Sequence, residues 1–324
     1  MSFRRFQSHF AYALCLIIAS ACAGRGDAKT SDAGPGATSA TLNAERTPAD
    51  SADWKSVDGA IGRAGVSQPG DVHRYNFPRS DLHVTAGGVQ IKPALALGGW
   101  VAMKAVSAGA VAMGDLVLAE DEVTPVITKL QSGGVEQTAI HHHILHDSPR
   151  VYYVHVHAHG DPVKIAETIR AAIALTKAPA PAPPAPATGE LGIDTAQVAK
   201  ALGNSGRVNG GVYQVSVPRS ETIRDGDFEI PTSMGVGTAI NFQPTGGGKA
   251  AITGDFVLIA SEVNPVIRAL RDNGIEVTAL HNHLLTEEPR LFFMHFWAND
   301  DAVKLARGLH SALDKTNSKP MAPR

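Results

Sequence analysis

Histidines recur at alternate positions in two stretches of this chain, and imidazoles spaced that way on neighbouring strands can converge on one metal ion. The first stretch, TAIHHHILHDSPRVYYVHVHAHGD, runs from Thr138 to Asp161, and the second, TALHNHLLTEEPRLFFMHFWANDD, from Thr278 to Asp301. Ten of the chain's 14 histidines lie in them. The first offers His141, His143 and His155, with His157 nearby, and the second offers His281, His283 and His295. Three neutral imidazoles with an open position suit zinc, copper or iron, and the open position permits chemistry on a bound water. The first set is favoured, because His157 and His159 continue its face where the second continues into Trp297 and Asn299. The competing expectation is metal-free histidines packed and hydrogen-bonded at a domain interface.

Each stretch reads as a hairpin. Residues 138–145 and 151–158 are β-branched, aromatic and apolar, and His-Asp-Ser-Pro-Arg separates them with turn chemistry. Side chains alternate faces along a strand. Ile140, Ile144, Tyr152, Val154 and Val156 are therefore expected on a core face, with His141, His143, Tyr153, His155 and His157 opposite. The second copy gives Leu280, Leu284, Phe292, Met294 and Phe296 against His281, His283, Phe293, His295 and Trp297. A turn centred near Ser148 would place His141 opposite His155 and His143 opposite Tyr153.

Other motifs are less specific. Glu122 and Glu262 each follow a strand at the start of a helix, where an acid complements the helix dipole, and a catalytic carboxylate beside a metal is the alternative. Arg79, Arg150, Arg219 and Arg290 each follow a proline and are expected in surface salt bridges rather than on an anionic substrate. Gly246-Gly247-Gly248-Lys249 lacks the Ser/Thr and helix of a phosphate loop and reads as a hairpin turn. His281-Asn282-His283 sits in one strand, unlike the dispersed residues of an HNH nuclease. The cupin pattern His-x-His-x3-Glu is met by His281, His283 and Glu287, but the first copy has Asp147 at the last position.

The elements around these residues repeat at a constant offset of 140 positions. Gly114-Asp115 matches Gly254-Asp255, Glu122-Val123 matches Glu262-Val263, Pro149-Arg150 matches Pro289-Arg290, and Pro78-Arg79-Ser80 matches Pro218-Arg219-Ser220. The expected fold is α+β: two homologous domains, 54–176 and 191–316, each an antiparallel sheet with helices on one face. Each has a βαββα core preceded by a helix and short strands. Asn264-Pro265 reads as the start of a helix ended by Asn273-Gly274, and Asp161-Pro162 as the start of the last helix of the first unit. The histidine face turns away from the helices, toward solvent, the other domain or a ligand. Phe293 and Trp297 on that face favour the other domain.

A basic start at Arg4 and Arg5, an apolar run from Ala11 to Ala19 and small residues before Cys22 make residues 1–22 a secretory signal. Ala19-Ser20-Ala21-Cys22 is similar to a lipobox, which would place a lipid on Cys22. Residues 23–53 read as a flexible tether, 177–190 as a Pro/Ala linker and 317–324 as a C-terminal tail. The other cysteine, Cys15, also lies in the leader, so the remaining chain has neither disulfides nor cysteine metal ligands. A formal charge of -2 gives no general attraction to nucleic acid, and no motif calls for a nucleotide cofactor.

The run GDFVLIASEVNPVIRALRDNGIEVTALHNHLLTEEPRLFFMHFWANDDAVKLA, and its counterpart in the first unit, resembles the LppY/LpqO envelope lipoprotein family, a domain of unknown function. The resemblance covers both units. It implies an exported, lipid-anchored protein of the periplasm or outer membrane and brings no catalytic residue with it. The resulting expectation is an envelope lipoprotein that binds a divalent metal or small ligand on its histidine faces. A metal-dependent hydrolase and a non-catalytic interaction protein are the alternatives, and oligomeric state is not legible.

Overall fold

The computed structural model describes residues 52–180 and 191–319. The leader with Cys22, nearly all of the tether, most of the Pro/Ala linker and the end of the tail lie outside the described residues. The first repeat runs α1 (Trp54–Ile61), β1 (Val66–Gln68), β2 (Val72–Pro78), β3 (Thr85–Ala86), β4 (Val89–Gln90), α2 (Pro93–Ala96), β5 (Gly98–Val106) and β6 (Gly109–Ala119). It closes with α3 (Glu120–Ser132), β7 (Glu136–His141), β8 (Val151–Gly160) and α4 (Pro162–Ile173). The second begins with α5 (Thr195–Leu202), β9 (Arg207–Asn209), β10 (Val212–Val217), β11 (Arg224–Asp225), β12 (Phe228–Glu229), β13 (Thr238–Gly246) and β14 (Lys249–Leu258). It ends with α6 (Ala260–Asp272), β15 (Glu276–His281), β16 (Phe292–Asp301) and α7 (Ala302–Leu313).

The two repeats build the same sheet. The orders are β1-β2-β5-β6-β8-β7 and β9-β10-β13-β14-β16-β15, antiparallel throughout. In the first, α1, α3 and α4 cover one face, where Val57, Leu130 and Ile169 meet Tyr75, Leu116, Val154 and Val156. Strand β6 is buried along nearly its whole length, as a strand covered on both faces must be.

What covers its second face is the other repeat. The segment between β2 and β5 carries Val84, Ile91 and Leu95 into a core shared with Val212 and Ala251 of the second sheet. Reciprocally, Ile230, Met234 and Val236, between β12 and β13, pack with Val72, Ala102 and Met113 of the first. Gln243 fastens one crossing, its side chain donating to Gln90 O at 2.7 Å and accepting from Lys92 N at 2.9 Å. Ser233 Oγ donates to Pro69 O at 2.7 Å on the other side. The expected packing of the two units on each other thus holds, and Phe293 is fully buried in it. The layers run helices, sheet, crossed segments with histidines, sheet, helices.

Several local expectations are corrected. Helix α6 starts at Ala260, before Asn264-Pro265, because the Glu262 carboxylate turns back to accept Ile259 N at 2.9 Å and fixes the first turn. Asn273 does end it, followed by Gly274 at φ 72, and Asp161 caps α4. The Gly246–Gly248 run is the β13–β14 turn. Ile140 and Leu280 are not core: they stay 53% and 50% exposed on the outermost strands. Ile144 and Leu284 fall on the interface side, with Tyr153 and Phe293 respectively. The cupin alternative fails on topology, since these are helix-backed open sheets.

Candidate metal centre

The hairpins differ from the simple alternation in two ways that together aim the histidines. Ala139 rather than His141 stands opposite His155, and His141 opposite Tyr153, and a bulge at Thr138, with another at Thr278, shifts the register by one so that His141 and His281 share the face of His155 and His295. The strand also ends at His141, and residues 142–150 form a long loop rather than a tight turn. Asp147 Oδ2 holds that loop by accepting Val151 N at 2.9 Å, and Glu287 Oε1 does the same for Leu291 N. The bulged threonines cross the interface: Thr138 Oγ1 donates to His283 O, and Thr278 Oγ1 to His143 O, both at 2.6 Å. Each histidine loop is thereby pinned by the opposite repeat.

Six imidazoles meet where these loops cross. His141 stacks on His281 with ring centroids 3.8 Å apart and His155 on His283 at 3.9 Å, and His143 lies tilted against His295 at 3.8 Å. Every one of these pairs joins the two repeats. The sequence reading kept the ligand sets within single units; the structure also brings histidines of both units together, His141 and His155 to His281, and His141 and His143 to His295. The exception is His157. Its ring lies 3.4 Å from Asp225 Oδ2 and 3.9 Å from Glu136 Oε2, and it joins no three-donor group among the described residues. Trp297 occupies the equivalent position in the second repeat.

Two acids complete the cluster. Asp115 stands opposite His155 in the β6–β8 register and reaches to 3.3 Å from His143 Nε2; Asp255 stands opposite His295 and reaches to 2.9 Å from His283 Nε2. Sequence reasoning used Gly114-Asp115 and Gly254-Asp255 only as markers of duplication. The signal was present: an acid repeated in both units, in the strand that must pair with the histidine strand. The glycines matter as well. A Cβ on Gly254 would sit 1.9 Å from Ala239 O, so only glycine allows the strands to approach this closely.

Backbone carbonyls set the ring orientations. His295 Nδ1 donates to Gly254 O at 2.6 Å, His283 Nδ1 to Gly235 O at 3.1 Å, and His155 bonds equivalently to Gly114. With the proton committed at Nδ1, the rings of His155 and His295 turn an Nε2 lone pair inward, the arrangement that second-shell carbonyls give to metal-bound histidine. Burial, and then the neighbouring imidazoles, hold these rings in the neutral form a metal needs. His141 is pushed down to about 2, and His143 and His155 lie well below the usual histidine range. His281 is lowered by the same causes, and His295 chiefly by burial. Asp115 is driven the other way, well above the carboxylate range, by burial and by Asp255.

This leaves polar atoms without partners. His141 Nδ1, both nitrogens of His281, Nε2 of His143, His155 and His283, and Oδ1 of Asp115 and Asp255 are buried with no hydrogen bond. Each such atom costs about 1–3 kcal/mol. The contact between His141 Nε2 and His295 Nε2, at 3.2 Å, matches the separation of about 3.3 Å between two nitrogens on a tetrahedral ion with Zn–N of roughly 2.05 Å.

Glu122 and Glu262 are not at this centre. Arg79 Nη1 donates to Glu122 Oε2 at 2.6 Å and Nη2 to Oε1 at 3.1 Å, and Arg219 binds Glu262 in the same way. Arg79 and Arg219 are therefore buried ion-pair partners, 1% and 4% exposed, rather than surface charges. Arg290 pairs with Glu287, and Arg150 is exposed.

A family model described as Domain of Unknown Function (DUF1259) matches the chain twice, over residues 55–175 and 196–315. No curated protein matches it. Among solved structures, similarity is found to a trimeric bacterial microcompartment shell protein PduB, at 13% identity over 78% of this chain and 90% of that one, with a TM-score of 0.21. EtuB from Clostridium kluyveri is similar at 10% identity over 77% of this chain and 90% of that one, with a TM-score of 0.18. TM-scores this low carry no argument about fold or function.

Proposed function

The chain belongs to the DUF1259 family, carried as two tandem units, and from that premise we propose that it is an envelope protein that binds divalent transition metal between them. The supporting observation is the set of buried, inward-facing imidazole nitrogens that no protein group satisfies. Packed histidines without a ligand would bury hydrogen-bonded nitrogens; here a cation supplies what the protein does not. An imidazole-rich donor set with carboxylates selects zinc, copper or iron over magnesium or calcium. Turnover is not needed to account for the site, since Glu122 and Glu262 are occupied by arginines.

Zinc, copper(II) or iron(II) is expected to raise the thermal midpoint of protein purified without a His-tag. A hundredfold excess over Kd stabilises by roughly 2.7 kcal/mol. The His143→Ala/His281→Ala variant should lose the response, because each three-donor set of the cluster contains one of the two. A melt unmoved by every metal, with none in the purified protein, would leave the histidines as packing residues.

Location follows from the leader and from the resemblance to LppY/LpqO lipoproteins. Cys22 carries a lipid in this reading and fixes the protein to an envelope membrane; among the described residues no helix is long and apolar enough to cross one. Bacterial lipidation supplies several chains, which anchor firmly where a single chain would not. Cys22→Ser should move the protein, still folded, from the membrane to the soluble fraction, and an unchanged distribution would exclude the lipid anchor.

A further inference from the structure

We infer that the histidine centre holds two metal ions, one bound by Asp115, His143 and His155 and the other by Asp255, His281 and His283. This rests on the metal-binding reading above and adds nuclearity and carboxylate ligation to it. Within each set the donor atoms lie within 4.8 Å of one another, and the two sets share no residue.

Geometry argues against one shared ion. Ligands on a bound ion draw in to at most about 4.2 Å apart, twice a bond of roughly 2.1 Å, so donors that do not already lie within 4.8 Å of one another are too far apart to share one. Among the described residues no three-donor set contains both Asp115 and Asp255, or both His143 and His283. No single position therefore collects both carboxylates together with a histidine. Yet each carboxylate buries an oxygen that no protein group satisfies, Oδ1 of Asp115 and Oδ1 of Asp255, and each lies against a histidine of its own half. An ion in each half meets both demands, whereas one ion leaves one of these buried carboxylate oxygens without a partner.

His141 and His295 sit between the halves with their Nε2 atoms 3.2 Å apart. They join His143 in a further three-donor set, and His141 also joins His155 and His281. They are placed to supply a fourth ligand. Three protein donors with one further position is the arrangement of an ion that can exchange a ligand, and four is that of a closed structural site.

The test uses the full chain loaded with zinc alone, stripped of loosely bound ion and counted by native mass spectrometry with elemental analysis. Wild type should hold two ions, and Asp115→Asn and Asp255→Asn should each hold one. Zero ions in wild type would overturn the metal reading itself. One ion would leave that reading standing and overturn the two-ion centre, and two ions retained in both asparagine variants would overturn the carboxylate ligation. A second measurement needs no variant. Copper(II)-loaded wild type should give the paramagnetic resonance spectrum of a coupled pair, and an isolated-copper spectrum at full loading would also overturn the proposal.

Discussion

Stripped of metal, the protein is expected to unfold cooperatively near pH 5, with a steepness that reports several protons taken up together. Five rings of the centre, His141, His143, His155, His281 and His295, have folded-state affinities for protons depressed by burial. In the unfolded chain they titrate near ~6.5. Their contribution to stability is therefore complete above that value and is lost as pH falls through the window toward the folded values, which for His141 is about 2. Asp115 works in the opposite direction. Its folded affinity is raised, so between the unfolded value of ~3.9 and its folded one the native state binds a proton the unfolded chain lacks. The depressed rings outnumber the one raised carboxylate, so the unfolded state binds several protons more than the native one, at about 1.4 kcal/mol per proton per pH unit. Folding free energies of roughly 5–15 kcal/mol cannot absorb much more than one to two such units. The measurement is denaturant unfolding at a series of pH values in chelator, read by circular dichroism. A protein equally stable at pH 7 and pH 4.5, or a slope of a single proton, would show that the rings are not held neutral. Bound metal should move the transition to lower pH, because protons must then compete with the ion for the same nitrogens.

The sequence displayed the fold more clearly than the site, for physical reasons visible at particular residues. Alternation with a 140-residue duplication was enough to place helices on one face of each sheet and histidines on the other, because burial of one face forces period two. It did not reveal the bulges at Thr138 and Thr278, since a bulge adds one residue without any composition of its own. That single residue puts His141 opposite Tyr153 rather than Tyr152, and so onto the face of His155. Nor could it show that the histidines of the two repeats meet: Thr138 and Thr278 reach across to the opposite histidine loops, and no local pattern encodes such a contact. Asp115 and Asp255 were legible in principle, since each lies one strand away from a histidine and recurs at the same offset. His157 has the same type and spacing, and its neighbours are Asp225 and Glu136.

Replacing Arg79 by Met should destabilise the protein by about 3–5 kcal/mol, more than the loss of any single histidine, although Arg79 lies outside the metal centre. Its guanidinium donates to both oxygens of Glu122, to both of Asp81 and, through Nη1, to Val117 O at 2.8 Å. Glu122 in turn accepts Ala119 N and Lys177 N, each at 2.9 Å. One buried pair thus ties the end of β2, the start of α3 and the chain leaving α4. Arg219 and Glu262 repeat it, with Asn317 N in the place of Lys177 N. Methionine keeps much of the volume but leaves Glu122 buried and uncompensated, and the cost falls chiefly on that carboxylate. For a body of this size the loss is roughly 10 °C in Tm. The double variant Arg79→Met/Glu122→Gln should recover part of it, because glutamine removes the stranded charge yet can still accept from Ala119 N. Metal stoichiometry should be unchanged in any variant that folds. A thermal midpoint within a degree of wild type for Arg79→Met would place the pair among surface salt bridges, as the proline-flanked arginines first suggested. A double variant no better than the single would show that the backbone bonds to Glu122, rather than its charge, carry the loss.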